Sequence, residues 1–205
     1  MRRRMMLSSI AFLSCALGVI PAQGAGFFTF TTIDFPGTTP TMARGLNSPG
    51  QIVGEYSDVT RKGHGFLLAA GSFATLDVPS GASRTVAFGN NNRGQVVGFY
   101  RDATFKPHGF LLAQGTFRTI DVPGATQTEA HGINDPGQVV GLYQDAAGRT
   151  HGFLLSDGSF SIIDVPGFFR TEAHGINNPG QIVGLYTDNS FKIHGFLATP
   201  NDFEP

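Results

Sequence analysis

The sequence predicts an all-β protein, a four-bladed β-propeller of four-stranded blades whose N-terminal strand closes the last blade. Three observations lead there: one set of motifs recurs four times, each copy divides into four short strands, and the copies start out of phase with the blade. His-Gly-Phe stands at His64, His108, His151 and His194, in steps of 44, 43 and 43 residues. Asp34, Asp77, Asp121 and Asp164, each followed by a hydrophobic residue and Pro, step by 43, 44 and 43. Gly-Gln-(Ile/Val)-Val-Gly begins at Gly50, Gly94, Gly137 and Gly180. A period of this length marks blades, solenoid rungs or arrays.

The third copy shows each element in turn. Residues 128–133 (Thr-Glu-Ala-His-Gly-Ile) form a short first strand rich in small residues. Asn134-Asp135-Pro136-Gly137 follows, with Pro and Gly suited to the two centres of a type II turn. The second strand, residues 138–143, is apolar on both faces, as a strand enclosed in a stack of sheets must be. A loop opening at Asp145 leads to the third strand, His151 to Leu155, and Asp157-Gly158 is a tight hairpin signal. In the fourth strand, residues 160–165, Ile163 and Val165 share one face and Phe160, Ile162 and Asp164 the other; Pro166 ends it. No segment carries a helical period, and 28 glycines oppose one.

The phase supplies the ring. A complete fourth-type strand, residues 30–35, precedes the first short strand at 41–46, and no fourth-type strand follows the last third-type strand at 194–197. The N-terminal strand is therefore free to complete the final blade and hide its edge. The short strand then lies innermost and the Ile-Asp-Val-Pro strand outermost. A β-prism-like or solenoidal stack of four-stranded sheets is the alternative. A further one is that four blades are half of a larger ring completed by a second chain.

The ends and the composition narrow the function. Arg2, Arg3 and Arg4, an apolar run from Met5 to Ile20, and Ala22 and Gly24 as small exit residues read as a signal peptide over residues 1–24. Residues 25–205 then form a single repeat domain, expected in the periplasm or outside the cell, with no stable membrane anchor after cleavage. Arg3-Arg4-Met5-Met6-Leu7 leaves twin-arginine and general export both open. Cys15 lies in a poor lipobox and is the only cysteine, so no disulfide is expected. The remaining 11 basic and 15 acidic residues leave a net charge of −4, which excludes the basic stripe of a nucleic-acid binder.

Gly-Ile-Asn-x-x-Gly-Gln-(Ile/Val)-Val-Gly and His-Gly-Phe-Leu-Leu resemble the HAF-repeat family of bacterial extracellular repeat proteins. The resemblance covers residues 27–198, and its one departure is Gly65, Gly109, Gly152 and Gly195 in place of the alanine of His-Ala-Phe. It implies an exported, β-rich, propeller-like protein and brings no catalytic residues.

Residues present in every copy answer a need of every blade. The four motif histidines are expected to bond a backbone group beside a turn, and no metal or cofactor is expected. The aspartates at 34, 77, 121 and 164 and those at 58, 102, 145 and 188 suit turn amides. Lys62, Lys106, Arg149 and Lys192 are placed to pair with them across the loop. Positions where the copies disagree are better candidates for binding. Arg44, Phe88, His131 and His174 are aligned on the short strand, and Glu129 and Glu172 precede the two histidines by two residues. If that strand lines the axis, these six make a mixed polar and aromatic mouth. The expected function is a non-enzymatic exported scaffold, monomeric or dimeric, for an extracellular glycan, peptide or protein. The alternative is a hydrolase or lyase using the Glu/His pairs, although no catalytic motif is present.

Overall fold

The computed structural model describes residues Leu13–Ser14, 28–38, 40–79 and 81–201. The predicted cleavage point at Gly24 and Cys15 lie outside them. The described chain is all-β, without a helix, and falls into four units. The short strand β1 (Leu13–Ser14) precedes them. The first unit is β2 (Thr41–Leu46), β3 (Ile52–Ser57), β4 (Gly63–Ala69) and β5 (Ser72–Leu76). The second is β6 (Arg84–Asn90), β7 (Val96–Arg101), β8 (Pro107–Ala113) and β9 (Thr116–Ile120). The third is β10 (Gln127–Ile133), β11 (Val139–Gln144), β12 (Thr150–Ser156) and β13 (Ser159–Ile163). The last is β14 (Arg170–Ile176), β15 (Ile182–Thr187) and β16 (Ile193–Ala198).

Each unit is an antiparallel meander in chain order. Single parallel pairs, Gly63 with Arg84 and Thr150 with Arg170, join neighbouring units, giving one sheet of nine strands and one of seven. The middle strands are enclosed on both sides, β7 and β11 being buried along all but their last residue. The hairpins before β5, β9 and β13 have two successive positive-φ residues, Ala70-Gly71, Gln114-Gly115 and Asp157-Gly158, the backbone of a two-residue turn matched to strand twist.

The turn after each first strand differs from the expected type II. Gly137 donates to the Asn134 carbonyl at 3.0 Å, so Asp135 and Pro136 are central and Gly137, at φ 97°, closes the turn. A turn followed by a left-handed glycine makes a three-residue hairpin loop, and Asn134 N–H completes it by donating to Gln138 O at 3.1 Å. The asparagine side chain then reaches the next unit. Nδ2 of Asn47, Asn91 and Asn134 donates to the backbone oxygen of Asn91, Asn134 and Asn177 at 2.9, 2.9 and 3.0 Å. This ladder is why Gly-x-Asn recurs at one spacing: it fixes the separation of adjacent units.

The first strands pack directly against one another. A Cβ placed on Gly89 would stand 2.8 Å from the His131 carbonyl oxygen, and one on Gly132 2.9 Å from that of His174. Only glycine allows this approach. The core lies between units. Val53 and Leu76 pack with Ala87, Val96 and Phe110 of the next unit, Val97 and Ile120 with Ala130, Val139 and Phe153, and Val140 with Ala173 and Ile182. Phe66, Phe110 and Phe153 are buried, and burying such a ring contributes about 1.5–3 kcal/mol.

The expected pairing of residues 30–35 with 194–198 is not formed. The β16 ladder has β15 as its partner, and Leu197 is 63% exposed. Ile33 and Phe35 instead pack on Tyr56, Phe66, Leu68 and Phe73 of the first unit, with Phe35 stacked on Tyr56 at 3.7 Å. The segment makes the same link to the unit that follows as the later copies do: Phe35 N–H donates to Thr41 Oγ1 at 2.9 Å, as Val122 does to Thr128 and Val165 to Thr171, both at 3.1 Å. The pairing fails because, among the described residues, no extended contact brings the last unit to the first, so the β16 edge is out of its reach. Two residues of the predicted leader also pair in the fold, Leu13 with Phe73 and Ser14 with Ser72.

Candidate functional site

The inner strand of every unit carries one irregularity, and it falls on the variable residue. Pairing with the second strand is regular to Ala43, Ala87, Ala130 and Ala173 and shifts before Gly45, Gly89, Gly132 and Gly175. The residues skipped are Arg44, Phe88, His131 and His174. A bulge bends its strand and re-aims the extra side chain. Here it turns these four side chains, of three kinds, to one side of the stack.

They form a continuous row. The Arg44 guanidinium lies 5.2 Å from the Phe88 ring centre, Phe88 lies 4.5 Å from His131, and His131 lies 5.0 Å from His174. With Ala43 they line a concavity of about 490 Å³. Sequence placed these four together, and the structure brings them together. Glu129 and Glu172 stand beside their histidines: His131 Nε2 lies 3.3 Å from Glu129 Oε2, and His174 Nε2 3.0 Å from Glu172 Oε2.

Three further residues were missed. Glu55, 3% exposed, bonds Arg44 at 2.6 Å and also Arg84, and Arg170 Nε donates to Glu172 at 2.8 Å. The signal was available for Glu55, since it replaces Phe99, Leu142 and Leu185 at one place in the second strand. It was masked because that strand reads as uniformly apolar. The hydrogen bond from His174, reinforced by those from Arg170, holds Glu172 at a pKa of about 2 despite its burial. This side of the molecule therefore presents fixed carboxylates, guanidinium groups, imidazoles and one phenyl ring.

The repeated histidines do different work, and not through a backbone group as expected. His64 bonds Asp77 through Nδ1 at 2.7 Å and Asp58 through Nε2 at 3.2 Å. His108 stands between Asp121 at 2.9 Å and Asp102 at 3.3 Å, and His151 between Asp164 at 2.6 Å and Asp145 at 3.3 Å. Each ring also stacks on the tyrosine opposite it in the ladder, Tyr56, Tyr100 or Tyr143, at 5.0 to 5.2 Å. These histidines thus clamp the third strand to the loop before it and to the end of the fourth strand. The predicted ion pairs of Lys62, Lys106, Arg149 and Lys192 do not form. Their backbone N–H groups donate to Asp58, Asp102, Asp145 and Asp188 instead, at 2.8 to 3.0 Å. The second oxygen of each aspartate is taken by the histidine.

For His151, burial pulls the imidazole pKa down, but the bonds to Asp164 and Asp145 and their charges outweigh it and the net shift is upward. The Arg149 amide is the main cause that lowers Asp145, with His151 adding to it. Among the described residues, no group of three or more His, Asp and Glu side chains is arranged to hold a metal ion.

No family model matches the chain, and no curated protein matches it. Among solved structures, it is similar to an arginine-to-alanine triple mutant of AofleA from Arthrobotrys oligospora, with a TM-score of 0.44, 11% identity, and 78% of this chain and 54% of that one covered. The chain thus spans about half the length of that protein. It is also similar to a mutant of the Aleuria aurantia lectin in complex with alpha-methyl-L-fucoside, with a TM-score of 0.38, 9% identity, and 79% and 74% covered.

Proposed function

We propose that the chain is an exported, non-catalytic scaffold of the HAF-repeat type, built of four propeller-like blades, that binds a saccharide on the side bearing the four bulges. The observation that carries this reading is the row from Arg44 to His174. A phenyl ring offers a flat apolar face for the C–H side of a sugar ring, and the guanidinium and carboxylates around it offer the paired donors and acceptors that hydroxyl groups need. Bulges on adjacent inner strands fix the spacing, so the site is preorganised by the backbone rather than assembled on loops.

The hydrolase or lyase reading is weaker. A general acid near neutral pH needs a proton to give, and Glu172 is held ionised by His174 and Arg170. The test is to incubate the exported protein with a panel of mono- and oligosaccharides and to read binding and product together. Binding without turnover is expected, weakened at least about tenfold in Phe88→Ala, the loss of about 1.4 kcal/mol of contact energy. Product formation abolished by His131→Ala or His174→Ala would replace this reading with the enzymatic one.

A further inference from the structure

The two ends of the stack are bare in complementary ways. Val53, Val97 and Val140, each covered by the next unit, are 0% exposed, whereas Val183 at the same place in the last unit is 50% exposed. Ala87, Ala130 and Ala173, each covered by the unit before, are 0% exposed, whereas Ala43 is exposed. The same division runs through the polar groups. Nδ2 of Asn47, Asn91 and Asn134 donates both to the glutamine of its own turn and to the following unit, whereas Asn177 keeps only the bond to its own turn, to Gln181 at 2.8 Å. His64, His108 and His151 each have an aspartate thirteen residues later, but His194 bonds Asp188 alone, at 3.0 Å. Asp34, the remaining member of the aspartate set, has no motif histidine thirteen residues before it.

We propose that these ends are the two halves of one interface and that a second copy of this chain occupies it, head to tail. The chain makes this interface three times internally, between the far face of one unit and the near face of the next, so the complementary surface is already encoded. The second copy would lay its residues 30–35 along the open edge of β16 as a fourth strand, as β5, β9 and β13 lie beside β4, β8 and β12. Its Asp34 would meet His194, its Ala43 would cover Val183, and its Asn47 carbonyl would receive Asn177. Adding a strand to an open edge supplies backbone hydrogen bonds, and the pockets beside it set the register. The alternative covering, by closure within one chain, is not what the structure shows, because no extended contact joins the first unit to the last. The row of bulge residues would then run on from His174 to Arg44 of the second copy. None of this depends on the saccharide reading.

The experiment is the solution mass of the exported protein by light scattering, for the parent and for Val183→Asp and Ala43→Asp. Both substitutions fall on residues exposed in the single chain, so circular dichroism should match the parent, and any fall in Tm should be no more than the lost association accounts for. The parent is expected to be a dimer or larger multiple, and each variant alone a monomer. Mixing the two variants should restore association through the one junction that keeps both native faces, an outcome closure within a chain cannot give. A monomeric parent whose Tm falls in Val183→Asp would show closure within the chain. A monomeric parent with unchanged Tm would show that both ends stay bare. Association surviving in both variants would place the contact elsewhere, and each of these three results overturns the proposal.

Discussion

His151 shows how one side chain can tie three strands and set the pH response of the fold. Its pKa is raised on folding, so the stability it contributes is fully present below the unfolded value of 6.5 and is lost as pH rises through the higher folded value. Asp145 is lowered from 3.8, so its contribution is present above that value and lost as pH falls through the depressed one. Stability should therefore peak between these two limits, on the mildly acidic side of neutrality. Thermal unfolding from pH 4 to 9 checks it, and His151→Asn should flatten the alkaline decline by less than one proton's worth of slope. A parent that gains stability steadily up to pH 9 would contradict the clamp.

Asn91 acts between units. It is 4% exposed, its Nδ2 bonds Asn134 O, and its Oδ1 accepts the Gln95 N–H at 3.0 Å. Asn91→Ala leaves those groups unsatisfied and should cost about 1–3 kcal/mol in urea unfolding. An effect below a few tenths of a kcal/mol would mean that the ladder is decoration. The need for Asn at this place was visible in its recurrence, but its partner 43 residues away was not, because a side chain bonding a neighbouring unit leaves no local pattern. The histidine clamps lie within one unit, yet they too join residues that are distant along the chain. The spacing of thirteen from His to Asp was in the sequence, and only antiparallel pairing of the third and fourth strands turns it into a contact.

At the scale of the element, the strands follow from alternation, and most ends fall within a residue or two of the turn signals. The bulges do not. Ala-His-Gly reads as ordinary strand, and the shift appears only as a change of partner between Ala130 and Gly132. The four variable residues could be grouped by alignment, whereas their common direction needed the bulge. Packing at the glycine that follows is tight enough to test. Gly89→Ala puts a methyl group 2.8 Å from a carbonyl oxygen of the next inner strand, and such overpacking should cost about 1–3 kcal/mol. Gly94→Ala, with open space around it but a φ of 73°, provides the contrast of backbone strain without a clash. Chemical denaturation of both variants separates the terms; a Gly89→Ala protein as stable as the parent would contradict direct contact between inner strands.

For the whole molecule, four units in series were legible from the period, and the out-of-phase start pointed to residues 30–35 as a fourth-type strand; the structure forms no strand there and keeps only the docking of that segment on the unit that follows. Its partner was not legible. A strand that fits the near face of one unit and the edge of another satisfies the same periodicity whether the second unit is in its own chain or not. The structure shows the first of these contacts and leaves the second open. The concavity gathers its residues from all four units, so ligand binding should depend on the stack as a whole.

Chemical-shift mapping is the measurement that bears most directly on the binding claim. The protein is labelled with nitrogen-15 and titrated with whichever saccharide of the panel binds most tightly, following backbone amides and the imidazole nitrogens. The largest shifts are expected at Arg44, Phe88, His131 and His174, while the clamped His64, His108 and His151 stay still. Shifts concentrated on those clamps or on the loops at Asp58, Asp102 and Asp145, with the bulge row unmoved, would contradict it.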